Sequence, residues 1–133
     1  MKYMLDTNII IYAKNNRPEL VLKKLRQFKP EDLCISAISV AELEYGAENS
    51  SRPEINRAAL YVLLSNISVL PFDSNSAYEY GKIRHFLKAR GEMIGSNDLL
   101  IAAHAKANNL TLVTNNTNEF ERVPGLKIEN WIV

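Results

Sequence analysis

The chain has one cysteine, Cys34, so no internal disulfide can form, and a reducing compartment such as the cytoplasm is expected. Cys34 lies in the apolar stretch Leu33-Cys34-Ile35 and reads as a small buried hydrophobe, not a nucleophile. No apolar run is long enough to cross a membrane. No basic leader followed by an apolar stretch and a small-residue cleavage site opens the sequence, so secretion is not expected. Neither charge is in excess: 16 Lys and Arg against 15 Asp and Glu give +1. The strong basic surplus common in nucleic-acid binders is therefore missing, although net charge is silent on how charges are distributed. Repeats, low-complexity tracts and long linkers are also missing.

What is present is an ordinary globular composition, 47% hydrophobic and 23% charged over 133 residues, enough for one domain with one core. Short apolar segments alternate with helical ones. Lys2–Leu5, Leu33–Ile35, Val69–Phe72 and Thr111–Thr114 read as strands, and Leu126–Val133 as a last edge strand. Helices are expected over 8–14, from Pro18 to about Phe28, from a Ser36 cap to about Glu48, from Pro53 to about Asn66, from Asp73 or Ser74 to about Arg90, and over 96–108. Helices between short apolar strands imply parallel strands with crossover helices, hence a three-layer α/β/α domain around a small parallel sheet. In such sheets ligands bind outside the carboxyl ends of the strands.

Three acids have apolar or small neighbours. Asp6 stops one apolar run just before the next, at Ile9. A helix cap is the plain explanation, but Thr7 and Asn8 could equally cap. Glu42 lies in SAISVAELEYG, a helix apolar nearly all round at about 100° per residue. Ile38, Ala41 and Tyr45 line one side of it, Val40, Leu43 and Ala47 another, and Glu44 and Glu48 mark the solvent side. Ser39 and Gly46 leave small neighbours around Glu42, which suggests close approach by backbone or ligand. Asp98, in IGSNDLLIAAH, begins a helix whose Ile101, Ala102 and Ala105 suit close packing on a sheet. First-turn placement at the helix dipole is its plain explanation, with Ser96 or Asn97 supplying the cap. Each acid alone favours the plain view, because burying an unpaired carboxylate is costly. Together they would repel unless a cation sat among them. Hard oxygen ligands suit Mg²⁺ or Mn²⁺, which lower the pKa of a bound water and neutralise a phosphate. Beyond the strand ending at Thr114, Asn116 could coordinate a water on the metal, and Glu119 could add a carboxylate.

The stretches MLDTNIIIYAKNNRP, ISAISVAELEYGAENS and IGSNDLLIAAHAKANNLTLVTNNTNEFERVPGLKIENW occur in that order and span nearly the whole chain. In them the chain resembles the PIN-domain ribonucleases, and within these the VapC toxins of type II toxin–antitoxin pairs. The resemblance implies a single PIN domain over 1–133 and Mg²⁺- or Mn²⁺-dependent endoribonuclease activity. It maps the family's acids onto Asp6, Glu42 and Asp98. Many PIN domains place a fourth acid where this chain has Asn116, which leaves one ligand neutral. The resemblance further implies a homodimer and a VapB-like antitoxin whose C-terminal segment lies across the groove and can place an arginine among the carboxylates. Some relatives cut initiator tRNA in the anticodon stem-loop.

On this reading Asp6, Glu42 and Asp98 hold the ion, directly or through water. A water attacks phosphorus in line and the 3′ oxygen leaves, giving a 5′-phosphate and a 3′-hydroxyl. Thr7, Asn8 and Thr114 are expected to orient ligands from behind. Lys14, Arg84 and Arg90 are candidates for holding the RNA backbone. Two rivals remain. A metal-free ribonuclease would rely on histidine. Only His85 and His104 are available, and His104 points about 120° around its helix from Asp98, which reads as boundary packing. The other rival is a PIN module that binds RNA or a partner without catalysis, which would not need all three acids.

Overall fold

The structure is a computed structural model and describes residues 1–15 and 23–131. Pro18, the expected start of the second helix, falls outside these residues. Its end is seen: residues 23–25 are helical and the chain turns over 26–27, short of Phe28.

The strands are β1 (Tyr3–Leu5), β2 (Leu33–Ser36), β3 (Ser68–Leu70), β4 (Thr111–Val113) and β5 (Lys127–Glu129). The described helices are α1 (Thr7–Asn15), α2 (Ala37–Glu48), α3 (Pro53–Leu64), α4 (Ser74–Ala89), α5 (Ser96–Ala107) and the single turn α6 (Thr117–Phe120). The sheet runs β3-β2-β1-β4-β5 and every pairing is parallel. β3 ends at Leu70, before Pro71, since a proline has no N–H to give a ladder.

The side-chain period of two divides the strands between two cores. Met4, Cys34 and Leu112 face α4 and α5, packing with Ile83, Leu87, Ile101 and Phe120. Leu5, Leu33, Ile35 and Val113 face the other way, onto Ile9 and Ile10 of α1, Val40 and Leu43 of α2, and Leu63 of α3. Each such fully buried side chain contributes roughly 1.5–3 kcal/mol. The three-layer α/β/α arrangement is thus present, with Cys34 buried and its thiol pushed up to about 11 by burial. Ile101, Ala102 and Ala105 are fully buried, as their small apolar face implied.

Two helical faces differ from expectation. α3 buries Leu60 and partly Leu63 and Leu64, but leaves Ala58 and Val62 in solvent. Glu44 and Glu48 do not simply mark a solvent face: both bind Arg57 of α3, and Glu44 also accepts from Tyr61.

The strand order reverses at β1. The chain moves outward from β1 to β2 and β3, then crosses back to place β4 on the other side of β1. The crevice between the carboxyl ends of β1 and β4 is the switch point where open parallel sheets bind ligands.

Candidate active site

Asp6 follows β1 directly at this switch point. Its N–H donates to the Val113 carbonyl at 2.9 Å, so its backbone continues the β1–β4 ladder before α1 begins. Only 1% of the residue is exposed. Thr114, which follows β4, donates its hydroxyl to Asp6 Oδ2 at 2.9 Å. Asp6 Oδ1 is buried and has no hydrogen-bond partner. Burial raises the Asp6 pKa to about 6, against the lowering pull of the Thr114 hydroxyl and Thr7 amide; Glu42 and Glu119 add to the rise.

Glu42 comes from α2, which Ser36 caps by accepting the Ile38 N–H at 3.1 Å. Thr7 donates to Glu42 Oε1 at 2.7 Å. The small neighbours of Glu42 act differently from expectation. A side chain at Gly46 would meet open space, so no backbone approaches there, and Ser39 is buried with its hydroxyl unpartnered.

The close approach is at Gly95 instead. A Cβ there would lie 3.3 Å from Asp98 Oδ2 and 3.4 Å from Glu119 Oε1. Gly95, not Ser96 or Asn97, is the N-cap of α5, and no side chain of that segment caps it. Glu119 serves from outside the helix: its Oε1 accepts the Gly95 N–H at 2.5 Å and its Oε2 accepts from Asn116 Nδ2 at 2.6 Å. The Gly95 N–H in particular holds the Glu119 pKa low. Asp98 goes the other way, to about 7, through burial, then the charges of Asp6, Glu119 and Glu42, then a hydrogen bond shared with Glu119. Asn116 is fixed in turn, its N–H on Thr114 Oγ1 at 2.9 Å. Asp6, Glu42, Asp98, Asn116 and Glu119 thus form one connected group.

Among the described residues, no group of three or more His, Cys, Asp or Glu side chains is arranged to hold a metal ion outright. The reason is visible in the contacts: Glu42 is turned onto Thr7, and Glu119 onto Gly95 and Asn116. In donor chemistry the group fits a hard divalent ion: carboxylate oxygens, one neutral amide, and a buried Asp6 oxygen without a hydrogen-bond partner.

The outlying candidates divide. Asn8 is exposed beside the site. Arg84 is exposed on α4, donating to Tyr80 Oη at 2.9 Å. Arg90 stacks on Phe86 and pairs with Glu92 at 3.6 Å, so part of its charge is already answered. The Lys14 side chain lies outside the described set. His104 is not at a boundary: it is 1% exposed, with Nδ1 2.7 Å from Ser36 Oγ and its ring edge-on to Phe72. Burial lowers its pKa. Gly95 was missed; the sequence signal was a glycine directly before SND, a residue type that can itself be an N-cap.

The PIN-domain model matches residues 3–126. Ribonuclease VapC2 of Haemophilus influenzae is 46% identical over 132 residues, 99% of each chain. The tRNA(fMet)-specific endonuclease VapC of Salmonella typhimurium is 42% identical, over 98% of each. A crystal structure of VapBC2 from Rickettsia felis, bound to a DNA fragment from its promoter, superposes with a TM-score of 0.93 at 44% identity, covering 98% of this chain and 99% of that one. The chain belongs to the PIN-domain family and, within it, to the VapC ribonucleases.

Proposed function

We propose that this protein is the toxin of a type II toxin–antitoxin pair, a Mg²⁺- or Mn²⁺-dependent endoribonuclease acting on tRNA. The observation that carries the reading is Asp6: a carboxylate 1% exposed, one oxygen unpartnered, at the sheet's switch point beside Asp98. A carboxylate kept there against its desolvation cost needs a function, and liganding a cation supplies one. Asp6 and Asp98 would hold the ion, with Glu42 and Asn116 completing the set directly or through water. Such an ion would supply Lewis acidity, lowering the pKa of a coordinated water and screening phosphate charge.

The chain's own groups do the rest. Thr114 and Thr7 fix the rotamers of Asp6 and Glu42. The Gly95 and Asn116 donors hold Glu119 ionised and aimed at Asp98. The carboxylates take the proton of a water attacking phosphorus in line and return it to the 3′ oxygen as the P–O3′ bond breaks, giving a 5′-phosphate and a 3′-hydroxyl. Histidine chemistry is disfavoured, because His104 is buried on Ser36 and His85 is exposed on α4. The specificity of the Salmonella relative makes initiator tRNA, cut in its anticodon stem-loop, the first substrate to try. The partners assigned are a VapB-like antitoxin and a second copy of the chain.

The test is cleavage of a total tRNA pool by the purified protein in Mg²⁺, with chelator and Asp6→Asn controls prepared identically. Discrete fragments that vanish in both controls support the reading. Fragments that survive in Asp6→Asn, or an Asp6→Asn protein that still performs the biological role, would replace it with another active site or a non-catalytic module.

A further inference from the structure

The side of α2 that carries Ile38, Ala41 and Tyr45 is apolar, and only Ile38 is partly covered, by the core beneath it. Tyr45 is 70% exposed and Ala41 is also in solvent. This face forms one wall of a groove of about 480 Å³, closed by the starts of α1 and α5. The volume lies within the roughly 300–1,000 Å³ of small-ligand sites. Thr7 and Glu42 of the acidic site line it, so the groove and the site are continuous.

Its chemistry is specific. Among the described residues, neither lysine nor arginine lines it, so nothing described there makes a phosphate cradle. It offers an aromatic ring, Tyr45, two primary amides, Asn8 and Asn97, and an apolar floor that includes Ile38 and Leu100. Among the described residues, none of Tyr45, Asn8 and Asn97 spends its side chain on a hydrogen bond or ring contact. Asn8 is two residues from Asp6 and Asn97 precedes Asp98, so both amides are borne by backbone that also carries the acids. Proteins that read single-stranded RNA stack an unpaired base on an aromatic ring and hydrogen-bond its edge. An asparagine amide offers both a donor and an acceptor to that edge.

We propose that this groove is a nucleobase subsite: an unpaired base next to the scissile phosphate stacks on Tyr45 while Asn8 and Asn97 read its edge. The inference rests on the ribonuclease reading above and adds to it where the base beside the cut is held.

The experiment measures kcat/KM in Mg²⁺ on an RNA hairpin that the wild type cuts, and on matched hairpins made abasic at one flanking nucleotide at a time. One abasic position is expected to cost the wild type on the order of tenfold to a hundredfold, the loss of one base–aromatic stack. Tyr45→Ala should show the same loss on the intact hairpin and no further loss on that abasic one. Tyr45→Phe should restore cleavage, and Asn97→Ala should alter which base is preferred at that position. A Tyr45→Ala protein that cuts intact and abasic hairpins like the wild type overturns the subsite. So does one whose loss is equal at every position, which marks a structural role. A Tyr45→Ala protein unchanged on RNA but weakened in antitoxin binding overturns it in favour of a peptide site. A wild type that cuts no RNA overturns the ribonuclease reading itself, which separates that failure from this one.

Discussion

Thr114 and Asp6 are 108 positions apart in the chain, yet the Thr114 hydroxyl donates to Asp6 Oδ2 at 2.9 Å. Each is the first residue after its strand, and β1 and β4 are neighbours, with Leu5 opposite Val113. The crossover topology thus brings two distant segments to one crevice, and the hydrogen bond leaves the other Asp6 oxygen free to bind a ligand.

The acids are expected to weaken the fold at neutral pH. Asp6 and Asp98 titrate near 6 and 7, above their ordinary value of 3.8. Between about pH 4 and 7 the folded chain therefore holds more protons than the unfolded one. Stability contributed by these groups is full below about pH 4 and is lost as pH rises through 6 and 7. Asp98→Asn should raise the Tm at pH 8, on the order of 3–5 °C, with the gain shrinking towards pH 4. Thermal unfolding at the two pH values checks this; an equal gain at both would contradict it.

His104 has the opposite sign. Its folded pKa lies below the ordinary 6.5, so the stability it lends is full above 6.5 and is lost as pH falls from there through the folded pKa. Its Nδ1 meets Ser36 Oγ, which also accepts the Ile38 N–H at the start of α2. Ser36→Ala removes a cap worth about 1 kcal/mol and leaves a buried imidazole nitrogen unpaired at a further 1–3 kcal/mol. Urea unfolding should show a loss of roughly 2–4 kcal/mol. A loss under about 0.5 kcal/mol would contradict the contact.

Gly95 gives a different signature. A methyl there presses on Asp98 Oδ2 and Glu119 Oε1. Gly95→Ala should cut turnover about tenfold or more through misplacement of these acids, with a change in Tm no larger than that of an ordinary surface substitution. Full activity in Gly95→Ala would show that the carboxylates have slack.

Arg84 and Lys88, one turn apart on the exposed side of α4, carry no ion pair among the described residues. If they hold RNA phosphates, reversing both to Glu lowers kcat/KM for tRNA and flattens the slope of log(kcat/KM) against log[salt] by about 1–2. An unchanged slope would remove them from the interface.

Much of this was legible in the sequence, for identifiable reasons. Short apolar runs such as Leu33-Cys34-Ile35 between helical stretches fix a parallel sheet, and the position after a strand places Asp6 without further information. The placement of Asp98 was legible because the small apolar helical face behind it suits close packing on the sheet. What periodicity cannot give is which faces find a cover. Tyr45 and Val62 lie on apolar faces but stand in solvent, whereas His104, read as a boundary residue, is enclosed because Ser36 satisfies its nitrogen. Nor could local sequence tell that the N–H of Gly95, the N-cap of α5, is bound by Glu119, 24 residues further on.

The central claim is that Asp6 and Asp98 together hold a divalent ion. The most direct measurement is calorimetric titration of Mn²⁺ into the wild type and into Asp6→Asn at pH 6.5, each in two buffers of different ionisation enthalpy. The account predicts saturable binding to the wild type with release of protons, since Asp98 is partly protonated there, and loss of that binding in Asp6→Asn. Equal Mn²⁺ binding by both proteins would contradict it.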